Sequence, residues 1–214
     1  MIKVWGRASS SNVQAVMWAT AEMGLAVERI DAGFIYGVTD TPEFLAMNPN
    51  GTVPVVQDGD GPVMWETGAI LRYLASRHCR DAFWPPDPDA RAVVDKWAEW
   101  AKINVALKFT APIFWRLVRT APSRRDPGAI AEAVRALDVV LRIADRQLAR
   151  HPYLAGPDFT LADIQMGHLL YRYHDIDIPR PDLPNLRAYY DRLRARPAYA
   201  RHVMVSYEEL RVTD

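Results

Sequence analysis

Only one cysteine, Cys79, occurs in 214 residues. That excludes an internal disulfide framework and fits a reducing compartment. Neither sign of charge is in excess: 26 Lys and Arg balance 26 Asp and Glu, with no basic block to leave an electrostatic footprint for nucleic acid. No run approaches the roughly 20 apolar residues of a membrane-spanning helix. The opening MIKVWGRASSS shows no apolar signal core. A soluble cytoplasmic protein is expected, with neither nucleic acid nor membrane as partner. The five histidines, at 78, 151, 168, 174 and 202, show neither HExxH nor paired ligand spacing, so no metal is expected. No GxGxxG, P-loop or CxxC pattern occurs, which leaves nucleotide binding without support and Cys79 without a redox partner.

Half of the chain is hydrophobic, enough to bury a full core as one large or two small domains. Ile2 to Gly6 has the pattern of a strand, and Asn12 to Met23 that of a helix with Val13, Val16, Met17 and Met23 on its apolar side. Val27 to Asp31 follows as a second strand. Gly33 to Asn50 is loop-like, with a short helix near Pro42 to Met47. The stretch from Asn48 to Ala75 then organises the rest. Val53 to Val56 is a β-branched run, Asp58-Gly59 and Asp60-Gly61 are hairpin-turn dipeptides, and Pro62 to Trp65 is a return strand. Glu66-Thr67 opens a helix with Ile70, Leu71 and Leu74 on one face, and its exposed N–H groups could hold a carboxylate. Pro54 inside a strand-like run marks an edge, a bulge or a cis turn. The order βαβ then ββα is the thioredoxin-like pattern.

Three prolines crowd RDAFWPPDPDA, Arg80 to Ala90, where a linker is expected. Residues 1–80 would form an α/β domain, 81–89 the linker and 90–214 an all-α helical domain. Val93, Trp97, Trp100, Asn104, Leu107 and Ala111 form a stripe along one long helix. Ile130, Val134, Leu137, Leu141, Ala144 and Leu148 form another along a second, and the two should pack together. Thr160 and Asp163 make a capping box, with Phe159 and Ile164 as its hydrophobic staple. A further helix is expected over Asn185 to Arg196.

At Asn48-Pro49-x-Gly51-x-Val53-Pro54, followed by the hairpin and Glu66-Thr67-x-Ala69-Ile70-x-x-Tyr73-Leu74, the chain resembles the cytosolic glutathione transferase family. The Thr-x-x-Asp box after a glycine extends the resemblance to the second half. The family's fold is a thioredoxin-like domain followed by an all-helical one. The resemblance implies glutathione as co-substrate, with no metal. It implies a cis Pro54, Val53 pairing through its backbone with the cysteinyl part, and Glu66 and Thr67 at the γ-glutamyl end, with Asn50 among the contacts. Thr67 stands where the family usually has Ser and keeps the hydroxyl.

Ser9, Ser10, Ser11 and Asn12 lie between the first strand and helix, where simple capping would account for them. The resemblance gives them chemistry instead. In serine-type members a hydroxyl at this turn hydrogen-bonds the glutathione sulfur, and aligning SSNVQAV on Ser-x-x-x-x-Ala-Val selects Ser10, with Ser9, Ser11 and Asn12 as neighbouring candidates. Trp115, Phe114 and Phe109 form an aromatic cluster late in the first long helix, most of which core packing would account for. The resemblance implies that this helix supplies a hydrophobic-substrate wall, with Phe109 and Trp115 as its candidates, and Tyr36 could enter from the loop. Asn104, polar on an apolar stripe, would face a dimer cleft or touch glutathione from a neighbouring subunit. The implied function is thiolate activation and conjugation to small hydrophobic electrophiles by a homodimer. Peroxidase, dehalogenase or isomerase chemistry on the same site is the first alternative, and a non-catalytic binding or scaffold role the second.

Overall fold

β1 (Ile2–Trp5) and β2 (Val27–Ile30) pair in parallel. β3 (Val55–Asp58) runs antiparallel to β1 and β4 (Val63–Trp65) antiparallel to β3, which gives the sheet order β2-β1-β3-β4. A computed structural model supplies this architecture for residues 1–79 and 81–214. Arg80, where the expected linker begins, lies outside the described residues. β3 starts two residues later than the β-branched run does, because Pro54 has no N–H to give the ladder. The Val53-Pro54 peptide is cis.

Side chains alternate across the sheet. Ile2, Val4 and Val56 face α1 (Ser11–Glu22) and α3 (Thr67–His78), meeting Val13, Val16, Ile70 and Leu74. Val55 points to the other face, where it meets Ala32 and the Phe44 ring of α2 (Pro42–Met47). Thr41 caps α2 by accepting the Phe44 N–H at 3.2 Å.

α4 (Pro88–Trp100) continues through π-helical stretches at Ala101–Ala106 and Thr110–Trp115 to Val118. Pro112, inside the second stretch, cannot make the usual backbone bond. α5 (Pro127–Leu148) buries Ile130, Val134, Leu137, Leu141, Ala144 and Leu148, the face expected from its periodicity. The face expected for α4 is corrected. Val93 is 40% and Leu107 62% exposed, whereas Val94, Ala98, Ala101 and Val105 are buried. Helices that approach closely select alanine, a weak signal in a hydrophobic pattern, and the wider π turns shift the register beyond Trp100.

α6 (Leu161–Gly167) is buried at every position. It is followed by α7 (Leu170–Asp175), α8 (Pro184–Arg194) and α9 (Pro197–His202). A Cβ at Gly167 would stand 2.7 Å from both Trp18 and Leu193, so only glycine lets α6 lie against α1. Among the described residues no helix is long and apolar enough to cross a membrane.

Candidate active site

The turn from β1 into α1 forms one wall of a cavity of about 450 Å³. Ser10 is the N-cap of α1, yet its hydroxyl makes no capping bond; its backbone is engaged instead, the N–H donating to the Arg7 carbonyl at 3.1 Å and the carbonyl accepting the Gln14 N–H at 2.8 Å. The N–H groups of the first turn have no intrahelical acceptor and carry the positive end of the helix dipole. Ser9, Ser10 and Ser11 are all buried, and with Asn12 they line the cavity.

Their side chains are not equivalent. The Ser9 hydroxyl donates to the Glu209 carboxylate. Asn12 Oδ1 accepts from Lys102 Nζ at 3.1 Å. Ser10 and Ser11 hydroxyls have no protein partner among the described residues.

The helical half of the chain holds this turn from behind. His168 Nδ1 donates to the Ser11 carbonyl at 2.9 Å, and Arg172 Nη2 donates to the Ser9 carbonyl. Burial, then the Lys102 charge, pushes the His168 pKa down to about 3. It is a neutral donor at physiological pH, and it anchors the turn without acting as a base.

Thr52 and Val53, just before Pro54, line the cavity as well, together with Gly33, Phe34, Trp115, Arg7, Arg119 and Arg172. Val53 and Trp115, both candidates from the sequence, therefore lie in this lining. Phe109 is a correction: it is 1% exposed and packs against Phe114 and Tyr173 in the core. The aromatic that joins Trp115 at the cavity is Phe34. It sits at φ +58°, a backbone state that bulky residues rarely adopt and that no sequence pattern announces. Tyr36 is exposed and outside the lining. Asn104 is half-buried on the first π-helical stretch, also outside. Asn50 turns back onto Asn48 Oδ1, through its N–H at 3.0 Å and its amide at 2.9 Å.

Glu66 and Thr67 stand at the N-terminus of α3, beyond the cavity's lining. Thr67 is buried, and Glu66 has φ +67°. A non-glycine residue held in that region costs on the order of 1–3 kcal/mol and is concentrated at ligand clamps. Cys79 makes no such site. Burial, then Asp81, pushes its thiol pKa up, while neighbouring His78 turns to Asp58 at 2.8 Å.

Family models describe both halves of the chain: the glutathione S-transferase N-terminal domain matches residues 1–76 and the C-terminal domain residues 127–192. Glutathione S-transferase GstB of Escherichia coli K12 is 35% identical over 96% of this chain and 99% of its own length. Glutathione S-transferase 3 of Zea mays is 32% identical over 94% and 93%. Among solved structures, a theta class glutathione S-transferase from Xanthomonas axonopodis pv. citri with glutathione bound superposes with a TM-score of 0.90. It is 43% identical, covering 96% of this chain and 98% of that one.

Proposed function

The chain belongs to the cytosolic glutathione transferase family, and on that premise we propose that it holds glutathione as a thiolate at the α1 N-terminus for transfer to a small electrophile. The observation that carries this is the pair of Ser10 and Ser11 hydroxyls, both without partners among the described residues and both on the cavity wall. One of them donates to the sulfur, and the first-turn N–H groups of α1 add their dipole. The thiolate is the nucleophile, so no side chain need act as general base at the moment of attack.

The remaining contacts follow from the local backbone. Val53 supplies backbone groups to the cysteinyl part, with Pro54 buried behind it. The γ-glutamyl ammonium meets the Glu66 carboxylate, and its carboxylate meets the N-terminus of α3 and the Thr67 hydroxyl. We assign residues 1–80 to the glutathione-binding domain, 81–89 to a linker and 90–214 to the helical domain. Exposed Val93, Ile103 and Leu107 on α4 and its continuation support a two-fold homodimer that covers them. An unpaired Cys79 fits a cytoplasmic setting.

Isothermal titration with glutathione tests the reading. Binding at millimolar ligand or below is expected, with a glutathione-dependent rate on an activated aryl chloride. No heat at millimolar glutathione would overturn it and leave a non-catalytic role.

A further inference from the structure

Three guanidinium groups face the cavity without the anions that ordinarily accompany them. Arg7, Arg119 and Arg172 all line it. Among the described residues none has a carboxylate within ion-pair distance. Arg172 is 3% exposed and held between the rings of Phe114 at 4.7 Å and Tyr207 at 5.6 Å. It gives Nη2 to the Ser9 carbonyl, while its Nε has no acceptor. The Arg7 Nε is likewise buried and unpartnered.

Arg119 lies over Phe34 at 5.3 Å and over Trp115 at 5.1 Å, and Arg7 lies 5.6 Å from the same Phe34 ring. One wall of the cavity is therefore aromatic and cationic together. The nearby carboxylate, Glu209, is exposed and takes the Ser9 hydroxyl, which leaves an excess of two positive charges. Burial, then Arg119, lowers the Arg7 pKa, and burial lowers that of Arg172 to about 10, with Arg7 adding repulsion. All the same, both are cationic at neutral pH. An anion placed among desolvated cations that repel one another would offset both costs.

We propose that the electrophile carries a carboxylate on a planar apolar body, the body against Phe34 and Trp115 and the carboxylate on Arg119 and Arg7. This rests on the transferase reading above and names its second substrate class. Guanidinium groups suit a carboxylate because their planar fork can give two parallel N–H bonds. A sulfur anion alone does not use three of them.

The test compares two preformed conjugates, S-(4-carboxy-2-nitrophenyl)glutathione and its 4-carbamoyl counterpart, by isothermal titration at low ionic strength. Both share the glutathione moiety, so its own carboxylates cancel and the difference reads the aryl substituent. The carboxylate is expected to bind at least about tenfold more tightly, the scale of a charge-assisted hydrogen bond. Arg119→Gln and Arg7→Gln should each shrink that ratio. Equal affinities in the native protein, or a ratio unmoved in both variants, would overturn the inference while leaving the transferase reading intact. If neither conjugate nor glutathione itself binds, both fall.

Discussion

The Nδ1 of His168 and the carbonyl of Ser11, 157 residues apart, form a 2.9 Å hydrogen bond that ties the helical half of the chain to the serine turn. The fold holds His168 at a pKa of about 3 against an ordinary 6.5. The neutral form is favoured on folding, so its contribution is complete above pH 6.5 and is lost as pH falls toward 3. His168→Gln keeps a donor and removes the titration. Between pH 6.5 and 4.5 the native protein should lose about 2 kcal/mol in all relative to this variant, the slope steepening toward ~1.4 kcal/mol per pH unit at the acid end. Urea unfolding at several pH values checks this, and parallel curves would refute it.

Asp163 holds two segments together. Its carboxylate accepts the Leu154 N–H at 3.0 Å, the Thr160 N–H at 2.8 Å and the Tyr189 hydroxyl at 2.9 Å. Asp163→Ala strands three buried donors, at roughly 1–3 kcal/mol each, so a loss of at least about 3 kcal/mol is expected by chemical denaturation. Asp163→Asn keeps one acceptor oxygen and should cost less. A loss under 1 kcal/mol in the alanine variant would mean that water or a rearranged loop satisfies these donors.

The elements were largely legible because their signals are local. Alternation marks the strands, Asp-Gly pairs the hairpin, and a 3.6-residue period α5. The capping box at Thr160 and Asp163 is a spacing of three. What stayed hidden depends on distance or on backbone state. Arg172 reaches Ser9 from 163 positions away, and Glu209 reaches it from 200. Nothing in either neighbourhood advertises the contact. Phe34 enters the cavity through a left-handed backbone. The buried face of α4 was missed because alanines rather than large side chains make the helix contact. At the serines the sequence allowed three hydroxyls, and the structure distinguishes them only in that the Ser9 hydroxyl donates to Glu209.

Glu66→Ala should raise the glutathione KM by about tenfold or more with little change in kcat. The contact proposed there lies far from the sulfur and acts equally on ground and transition states. A charge-assisted hydrogen bond at roughly 1.5–3 kcal/mol sets that scale. Initial rates over a range of glutathione concentrations measure it, and an unchanged KM would remove Glu66 from the γ-glutamyl site.

The chemistry itself turns on Ser10 and Ser11. A free thiol with a pKa of about 8.5 is only a few per cent ionised at pH 7. Lowering it by about two units makes most bound glutathione thiolate and requires ~2.7 kcal/mol of preferential stabilisation. One hydrogen bond to the anion at roughly 1.5–3 kcal/mol, with a helix terminus at under ~1, supplies that amount. Removing the correct hydroxyl should therefore cut kcat at pH 7 by roughly 10- to 100-fold and leave glutathione affinity nearly unchanged. Part of the rate should return as pH rises and the thiol ionises unaided. Ser10→Ala is expected to show this pattern, since Ser10 is the N-cap and its hydroxyl makes no capping bond. If Ser11→Ala shows it instead, the register moves by one residue. Full activity in the double variant would leave the thiolate to the cavity's guanidinium groups, and Arg119→Gln should then reproduce the loss at neutral pH and its recovery at high pH.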